Sequence, residues 1–347
     1  MMNPAYARLL GFTERERLDL FLTTAARLGT AVQNVEKDFW VCWTLDALFN
    51  GLPDKGPRLL FKGGTSLSKG YGLISRFSED IDITVFRDDL HQSASVEELE
   101  RLPSNKERGR RLDAIRDACG EYIAGTLRPE LEQLSRQITA SSPVRVEPDP
   151  VDRDNQTLLL WYPQVTGDGE GYVGPAVKIE AGAKSALDPH HPQTVHPYIT
   201  DDLPAFNLEV PNVTTVAPER TLWDKIVILH GLRRWFETKG ELKGGGQRVS
   251  RHYYDLHRLL NSAMAEPALN NRDLGRDCVR HALLFFNRPA FDLESAKPGQ
   301  FALLPHDGMV DALRGDYGQM RGMILGDVPD FDLVMDSISR LEKRVNQ

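Results

Sequence analysis

The sequence predicts an α+β protein with a small mixed sheet in its first lobe and a mainly helical second lobe. Three observations carry that prediction. Short β-branched or aliphatic runs bounded by Gly, Pro and Asp are confined to the first 205 residues. Stretches with apolar residues at helical spacing stand before and among them, and from Pro218 onward the pattern is mostly helical. At 347 residues the chain can hold two domains, each able to bury a core. The change of pattern gives an α/β domain over 1–205 and a helical domain over 206–347.

Taken in order, "TERERLDLFLTTAARLG" spaces Leu18, Phe21, Leu22 and Ala25 at helical intervals behind Thr13 and Glu16, which read as a capping box. "NVEKDFWVCWTLDALF" repeats the pattern, with Asn34 placed to cap it. "GLPDKGPR" is a turn cluster. "LLFKGG" reads as a short strand running into glycines, "TSLSKGYGLI" as the helix after it, and "IDITVF" as a second strand. Over 97–139, Leu112, Ile115, Ile123, Leu127, Leu131, Leu134 and Ile138 recur among charged residues, which predicts a helical insertion broken near Pro129. "VRVEP", "TLLLWYP" and "AVKIEA" are three further strand-like runs, and the proline-rich "ALDPHHPQTVHPYITDDLP" reads as a loop. "PERTLWDKIVILHGLRRWF", "SRHYYDLHRLLNSA", "RDCVRHALLFF" and "DLVMDSISRLEKRV" are the helices of the second lobe.

Composition narrows the function classes. Hydrophobic residues at 41% and charged residues at 27% are ordinary for a folded globular chain. A net charge of −8 argues against a uniformly basic nucleic-acid binder while leaving room for a local basic patch. Three scattered cysteines, Cys42, Cys119 and Cys278, form neither a disulfide framework nor a zinc-binding pattern. The charged N-terminus lacks the apolar core of a signal peptide, and no apolar run approaches the roughly 20 residues of a membrane span. A cytoplasmic protein without membrane contact is the expectation.

The stretch "FKGGTSLSKGYGLISRFSEDIDITV" concentrates the chemistry. It is not a Walker A loop, because Lys69 follows Ser68 and precedes Gly70, and it lacks the third glycine of a dinucleotide fingerprint. What remains is a strand ending at Gly63-Gly64, a hydroxyl-bearing helix start at Thr65-Ser66, and "SEDID" entering a second strand. Glycines let a phosphate approach the backbone. Asp80 and Asp82, two apart on a strand, point to the same side, where they repel unless a cation lies between them. Paired carboxylates are suitable ligands for Mg²⁺ (or Mn²⁺) carrying a nucleoside triphosphate.

These residues resemble the signature of the DNA polymerase β-like nucleotidyltransferases, and most of all the AbiEii/AbiGii-type toxins, including the MenT-like ones. "VEKDFWVCWTLDALF", "PERTLWDKIVILHGLRR" and "RHYYDLHRLL" resemble further motifs of that family in the expected order. The resemblance implies a nucleotidyltransferase fold in the first lobe and Mg²⁺-dependent transfer of a nucleoside monophosphate from an NTP. It implies Asp80, Asp82 and a third carboxylate as the metal set, with Lys62, Gly63, Gly64, Thr65 and Ser66 around the triphosphate. Glu180 in "AVKIEAG" is the candidate third carboxylate, with a surface pair to Lys178 as the alternative. Lys225, which shares a helix side with Leu222, Leu229 and Leu232, is the candidate phosphate-facing lysine. Asp255 is the candidate that orients Lys225 or the nucleotide, against a plain surface ion pair with Arg251 four residues earlier. The later motif departs from the family's Arg-Asp-x-x-Asp, with His252 in place of the first aspartate.

The acceptor implied by the resemblance is RNA, a tRNA 3′ end, and the implied role is a toxin of toxin–antitoxin or phage-defence systems with a cognate antitoxin as partner. Residues 220–258 add a local surplus of Lys and Arg with Trp235, Tyr253 and Tyr254 interleaved, compatible with an RNA backbone and stacked bases. Transfer to a protein or small-molecule hydroxyl, and a catalytically silent nucleotide or RNA sensor, are the rival readings.

Overall fold

The computed structural model describes residues 1–136, 144–167 and 174–347. Helix α1 (Pro4–Leu10) starts behind Asn3, whose side chain accepts from the Ala5 amide. Helix α2 (Glu14–Leu28) follows the expected capping box: Thr13 and Glu16 satisfy each other's backbone amides, and Gly29 closes the helix in the left-handed region at φ 64°. Helix α3 (Val32–Asp46) starts earlier than its expected cap. Asn34 lies inside the first turn, its amide donating to Thr30 Oγ1 at 2.9 Å, and Ala31 holds the cap position without a side-chain bond. Every residue from Asn34 to Asp46 is buried, so packing rather than capping fixes this helix.

The sheet has seven strands where five were legible. Strand β1 (Leu59–Lys62) runs directly into α4 (Gly63–Lys69), and β2 (Asp80–Val85) returns antiparallel to β1. After α5 (Val96–Glu100), α6 (Asn105–Tyr122) and α7 (Arg128–Arg136) come β3 (Arg145–Pro148), β4 (Thr157–Trp161), β5 (Ala176–Glu180), β6 (His190–Val195) and β7 (Val210–Val216). Their order is β3-β4-β5-β2-β1-β7-β6, with parallel pairing at β5/β2 and β1/β7. Strand β7 went unread, and β6 corrects the proline-rich segment read as a loop. It sits at the sheet border, where Pro192 need not donate inward, and its pairing with β7 shifts register between Gln193 and Val195.

Pro129 does not break the insertion. Between α6 and α7 the chain widens into a π turn, Ile123–Leu127, in which the Arg128 amide reaches back to the Ile123 carbonyl. That turn accommodates the missing proline N–H and lets helical backbone continue through Pro129. Ile138, at the end of the expected insertion, lies outside the described residues.

The remaining helices are α8 (Pro218–Lys239), α9 (Ser250–Leu260), α10 (Ala265–Asn270), α11 (Arg272–Phe285), α12 (Asp307–Met320) and α13 (Phe331–Val345). The chain divides into two compact units: Met1–Tyr71, Phe77–Ala94 and Leu102–Val216 form the first, and Gly72–Arg76, Ser95–Arg101 and Ala217–Gln347 the second. The first unit buries Leu60, Phe61, Ile81, Ile83, Val177 and Ile179 of the sheet and Phe39, Trp40 and Trp43 of α3. There Trp40 stacks on Tyr162, with ring centroids 5.3 Å apart. The second unit buries Leu222, Ile226 and Leu229 of α8, Leu256 and Leu259 of α9, and Val334, Ile338 and Leu341 of α13. Among the described residues no helix is long and apolar enough to cross a membrane.

Candidate active site

Alternation along β2 puts Ile81 and Ile83 into the core and leaves Asp80 and Asp82 half-buried on the other face. Strand β5 does the same with Val177 and Ile179 inside and Lys178 and Glu180 half-buried. The parallel register sets Asp80 beside Lys178 and Asp82 beside Glu180. The antiparallel register sets Lys62 beside Asp82. One sheet face thus carries a row Lys62–Asp82–Glu180 and, next to it, a row Asp80–Lys178.

The side chains on this face are already engaged with one another. Lys62 Nζ stands 3.6 Å from Asp82 Oδ1. Lys178 Nζ stands 2.7 Å from Glu180 Oε1 and 3.5 Å from Asp149 Oδ2. Burial works against the Lys178 charge, but the bond to Glu180 and the carboxylates of Glu180, Asp149 and Asp80 hold its pKa above the usual lysine value. The Lys178–Glu180 pair weighed at the sequence level is therefore present. Among the described residues, no three His, Cys, Asp or Glu side chains converge as a ready-made metal cluster. The donor chemistry nonetheless suits a hard divalent cation: Asp80 and Asp82 are two half-buried carboxylates on one strand face.

Gly63 is explained by a neighbour rather than by a ligand. It joins β1 to α4 at φ +80°, and a Cβ there would lie 2.1 Å from Asp82 Oδ2. Gly63→Ala is expected to push the Asp82 carboxylate off its position and to cost about 1–3 kcal/mol from strained backbone. Urea unfolding checks the stability, and the crystal structure of the variant checks the carboxylate.

Thr65 and Ser66 have no exposed surface. Thr65 Oγ1 donates to the Asp80 carbonyl at 2.5 Å and lies 2.8 Å from Ser78 Oγ, and Ser66 Oγ donates to the Gly63 carbonyl at 2.9 Å. Their hydroxyls fix the strand–helix junction against β2, while Lys62, Gly63 and Gly64 remain partly exposed.

Sequence reasoning missed three consecutive supports on α3. Glu36 accepts from the Val165 and Thr166 amides and from Thr166 Oγ1. Lys37 Nζ binds Glu79 Oε2 at 2.7 Å, both side chains being almost fully buried. Asp38 takes Lys69 Nζ and the Tyr198 amide. The signal was available: three charged residues in a row within a helix otherwise rich in Trp, Phe, Val and Leu must each find a partner.

In the second unit, Asp255 of α9 is fully buried and receives Arg76 Nε at 2.7 Å, Arg76 Nη2 at 2.9 Å and Lys225 Nζ at 2.8 Å. Burial alone would raise the Asp255 pKa, but Arg76 and Lys225 hold it far below the usual carboxylate range. Burial, reinforced by the Arg76 charge, lowers the Lys225 pKa despite Asp255. Asp255 is thus not the carboxylate of an exposed pair with Arg251. Tyr253 and Tyr254 are also fully buried, which corrects their reading as base-stacking residues: the helix turns them inward with Leu256. Arg220 is buried against Asp277, and Arg233 and Arg234 share Glu237, so the basic surplus over 220–258 is largely spent within the unit.

With this arrangement in view, comparison with protein-family models matches residues 46–337 to the AbiEii nucleotidyl transferase toxin of type IV toxin–antitoxin systems. The chain belongs to that family. The AbiEii match runs from the end of α3 into the first half of α13, so it takes in the whole sheet and the larger part of each unit. Among solved structures the chain is similar to MenT4, a nucleotidyltransferase toxin from Mycobacterium tuberculosis H37Rv. That likeness has a TM-score of 0.49 and 16% identity, over 96% of this chain and 89% of that one. Comparison with curated proteins gave no match. As an AbiEii nucleotidyltransferase, the chain has in the β1–α4–β2 junction and the facing end of β5 the strongest candidate site among its described residues.

Proposed function

We propose that the first unit is a metal-dependent nucleotidyltransferase centre that moves a nucleoside monophosphate from an NTP to an RNA hydroxyl, with a tRNA 3′ end as the acceptor. The observation that carries the reading is the pair of same-face carboxylates, Asp80 and Asp82, held by the β1–β2–β5 register beside a glycine junction that only the absence of a Cβ permits. Asp80 and Asp82 would hold Mg²⁺ or Mn²⁺, with Glu180 flanking them. When bound, such an ion supplies charge stabilisation to the phosphoryl oxygens and lowers the pKa of an attacking hydroxyl. Lys62 and the backbone at Gly63 and Gly64 lie where the polyphosphate would approach, with Thr65 and Ser66 holding that backbone in place. In the transfer, the acceptor oxygen forms a bond to the α-phosphorus as the bond to the β-phosphate bridging oxygen breaks. The acceptor proton leaves to a nearby carboxylate, with Glu180 proposed for that role, and pyrophosphate departs with the bonding electrons.

The RNA part of the reading is supported by the basic side chains that stay at the surface of the second unit, Lys239, Lys243 and the partly exposed Arg251. An antitoxin partner is supported by membership of a toxin family. The test is incubation with each α-labelled NTP, Mg²⁺ and either total tRNA or total cell protein. Label in tRNA that is lost on periodate oxidation of its 3′ end beforehand is the expected result. Label in protein would replace the acceptor, and no transferred label from any NTP to either substrate would overturn the enzyme reading.

A further inference from the structure

We propose that the buried Lys37–Glu79 ion pair is a positioning device for the carboxylate face: from α3 it fixes the point at which the chain enters β2, and with it the direction of Asp80 and Asp82. The inference rests on the nucleotidyltransferase reading of those two carboxylates. It gives a role to the charged run Glu36-Lys37-Asp38, which the proposed reaction leaves unused.

Helix α3 packs against β2 and β5, the two parallel strands that carry Asp80, Asp82 and Glu180. Lys37 reaches the entry of both. Its Nζ lies 2.7 Å from Glu79 Oε2, one residue ahead of β2, and 3.5 Å from the Gly174 carbonyl, two residues ahead of β5. The two charged side chains are 5% and 7% exposed, whereas Asp80, the next residue, is half-buried. The same stretch is held from a second side, because Thr65 Oγ1 meets both Ser78 Oγ and the Asp80 carbonyl. Asp38 makes the matching tie at the far end of the junction. It pairs with Lys69, the last residue of α4, whose Nζ also stands 3.5 Å from the Tyr198 ring centroid. Two adjacent residues of α3 thus hold the end of α4 and the start of β2.

Stability alone gives no reason for this arrangement. A buried ion pair is often no better for the fold than apolar side chains of the same volume, since both charges lose their water. Helix α3 otherwise buries Val35, Phe39, Trp40, Val41 and Trp43, so an apolar pair at positions 37 and 79 would extend the existing core. What the charged pair supplies, and an apolar one cannot, is a short directional bond that fixes one backbone position at the foot of β2. The strand ladder then carries that position along β2 to both carboxylates. Lys37 and Glu79 act as positioning residues, since neither lies among the groups proposed to touch the reacting atoms.

The experiment uses the full chain and compares wild type, Asp82→Asn, the double variant Lys37→Met with Glu79→Leu, and Glu79→Asp. Urea unfolding gives stability, electron paramagnetic resonance of added Mn²⁺ gives metal affinity, and label transfer gives activity. Wild type is expected to bind Mn²⁺, and Asp82→Asn to lose it. The double variant is expected to unfold at the wild-type urea concentration or above, yet to bind Mn²⁺ about tenfold more weakly and to transfer about a hundredfold less label. Glu79→Asp keeps both charges but shortens the reach by one methylene, and is expected to weaken Mn²⁺ binding in the same direction. A merely structural pair would lower stability when removed and leave the affinity of the folded protein alone. A folded double variant whose Mn²⁺ affinity stays within about threefold of wild type therefore overturns the proposal. Should the double variant fail to fold, Glu79→Asp decides by the same threshold, and failure of both to fold would make the pair structural and overturn it too. If wild type binds no Mn²⁺, or Asp82→Asn binds it equally well, the metal reading of the face fails first. That outcome is distinct from metal binding that depends on Asp82 but not on Lys37 and Glu79.

Discussion

Asp82→Asn is expected to lower NMP transfer by at least about a thousandfold while leaving the unfolding midpoint close to that of wild type. The carboxylate sits half-buried on a strand face, so its amide analogue fits the same space and keeps the β1–β2–β5 register. What changes is charge: Lys62 loses the anion 3.6 Å away, and the proposed divalent ion would lose one of two adjacent carboxylates. Label transfer measured at saturating Mg²⁺ and again at tenfold higher Mg²⁺ separates the two contributions. Partial recovery at high metal would place the defect in binding. Activity within tenfold of wild type at both concentrations would remove Asp82 from the catalytic machinery.

The second large effect concerns the other unit. Asp255→Asn is expected to destabilise the fold by roughly 3–5 kcal/mol, because it leaves Arg76 and Lys225 buried without their shared anion. Replacing the whole cluster, with Arg76→Met, Lys225→Met and Asp255→Leu together, is expected to cost less than the single change, since no buried charge then lacks a partner. Urea unfolding of the two variants checks the order. The pH dependence has a definite sign. Arg76 and Lys225 depress the folded-state pKa of Asp255 below its unfolded value of about 3.9, so its contribution is complete above that value. It is lost progressively as pH falls from that value to the much lower folded-state one. Acidification from pH 7 to about pH 4 should therefore leave this part of the stability untouched, and a loss of the wild-type advantage over Asp255→Asn within that interval would contradict the ion-pair geometry.

How far the sequence could be read depends on whether a feature is local. The Thr13–Glu16 box, the two strands β1 and β2 and the alternation of β5 are local patterns, and each lies where the spacing put it. Helix α4, by contrast, takes in Gly63 and Gly64 and ends at Lys69, before the "GYGLI" expected to continue it. The pairing of Asp82 with Glu180 needed a register across nearly 100 positions of chain, which spacing cannot supply; family resemblance supplied the candidate instead. Strand β6 was hidden because Pro and His dominate it, and only its border position makes that composition tolerable. Arg76 was overlooked for the same reason that Asp255 was underestimated. Their bond spans 179 positions, and nothing in either neighbourhood hints at the other. Tyr253 and Tyr254 show the reverse error: a composition suggestive of RNA stacking belongs to a helix whose period turns both rings into the core.

Both borders of the seven-stranded sheet carry proline: Pro148 ends β3 and Pro192 interrupts β6. On β3 the exposed Arg145 and Glu147 add opposite charges 3.1 Å apart, and on β6 the register shift twists the free edge. A strand from another molecule finds no clean ladder to extend on either side. This toxin-family chain is therefore guarded against edge-to-edge polymerisation when it accumulates. Strand addition, the commonest way for an extended peptide to dock on a sheet, meets the same obstacle at both borders.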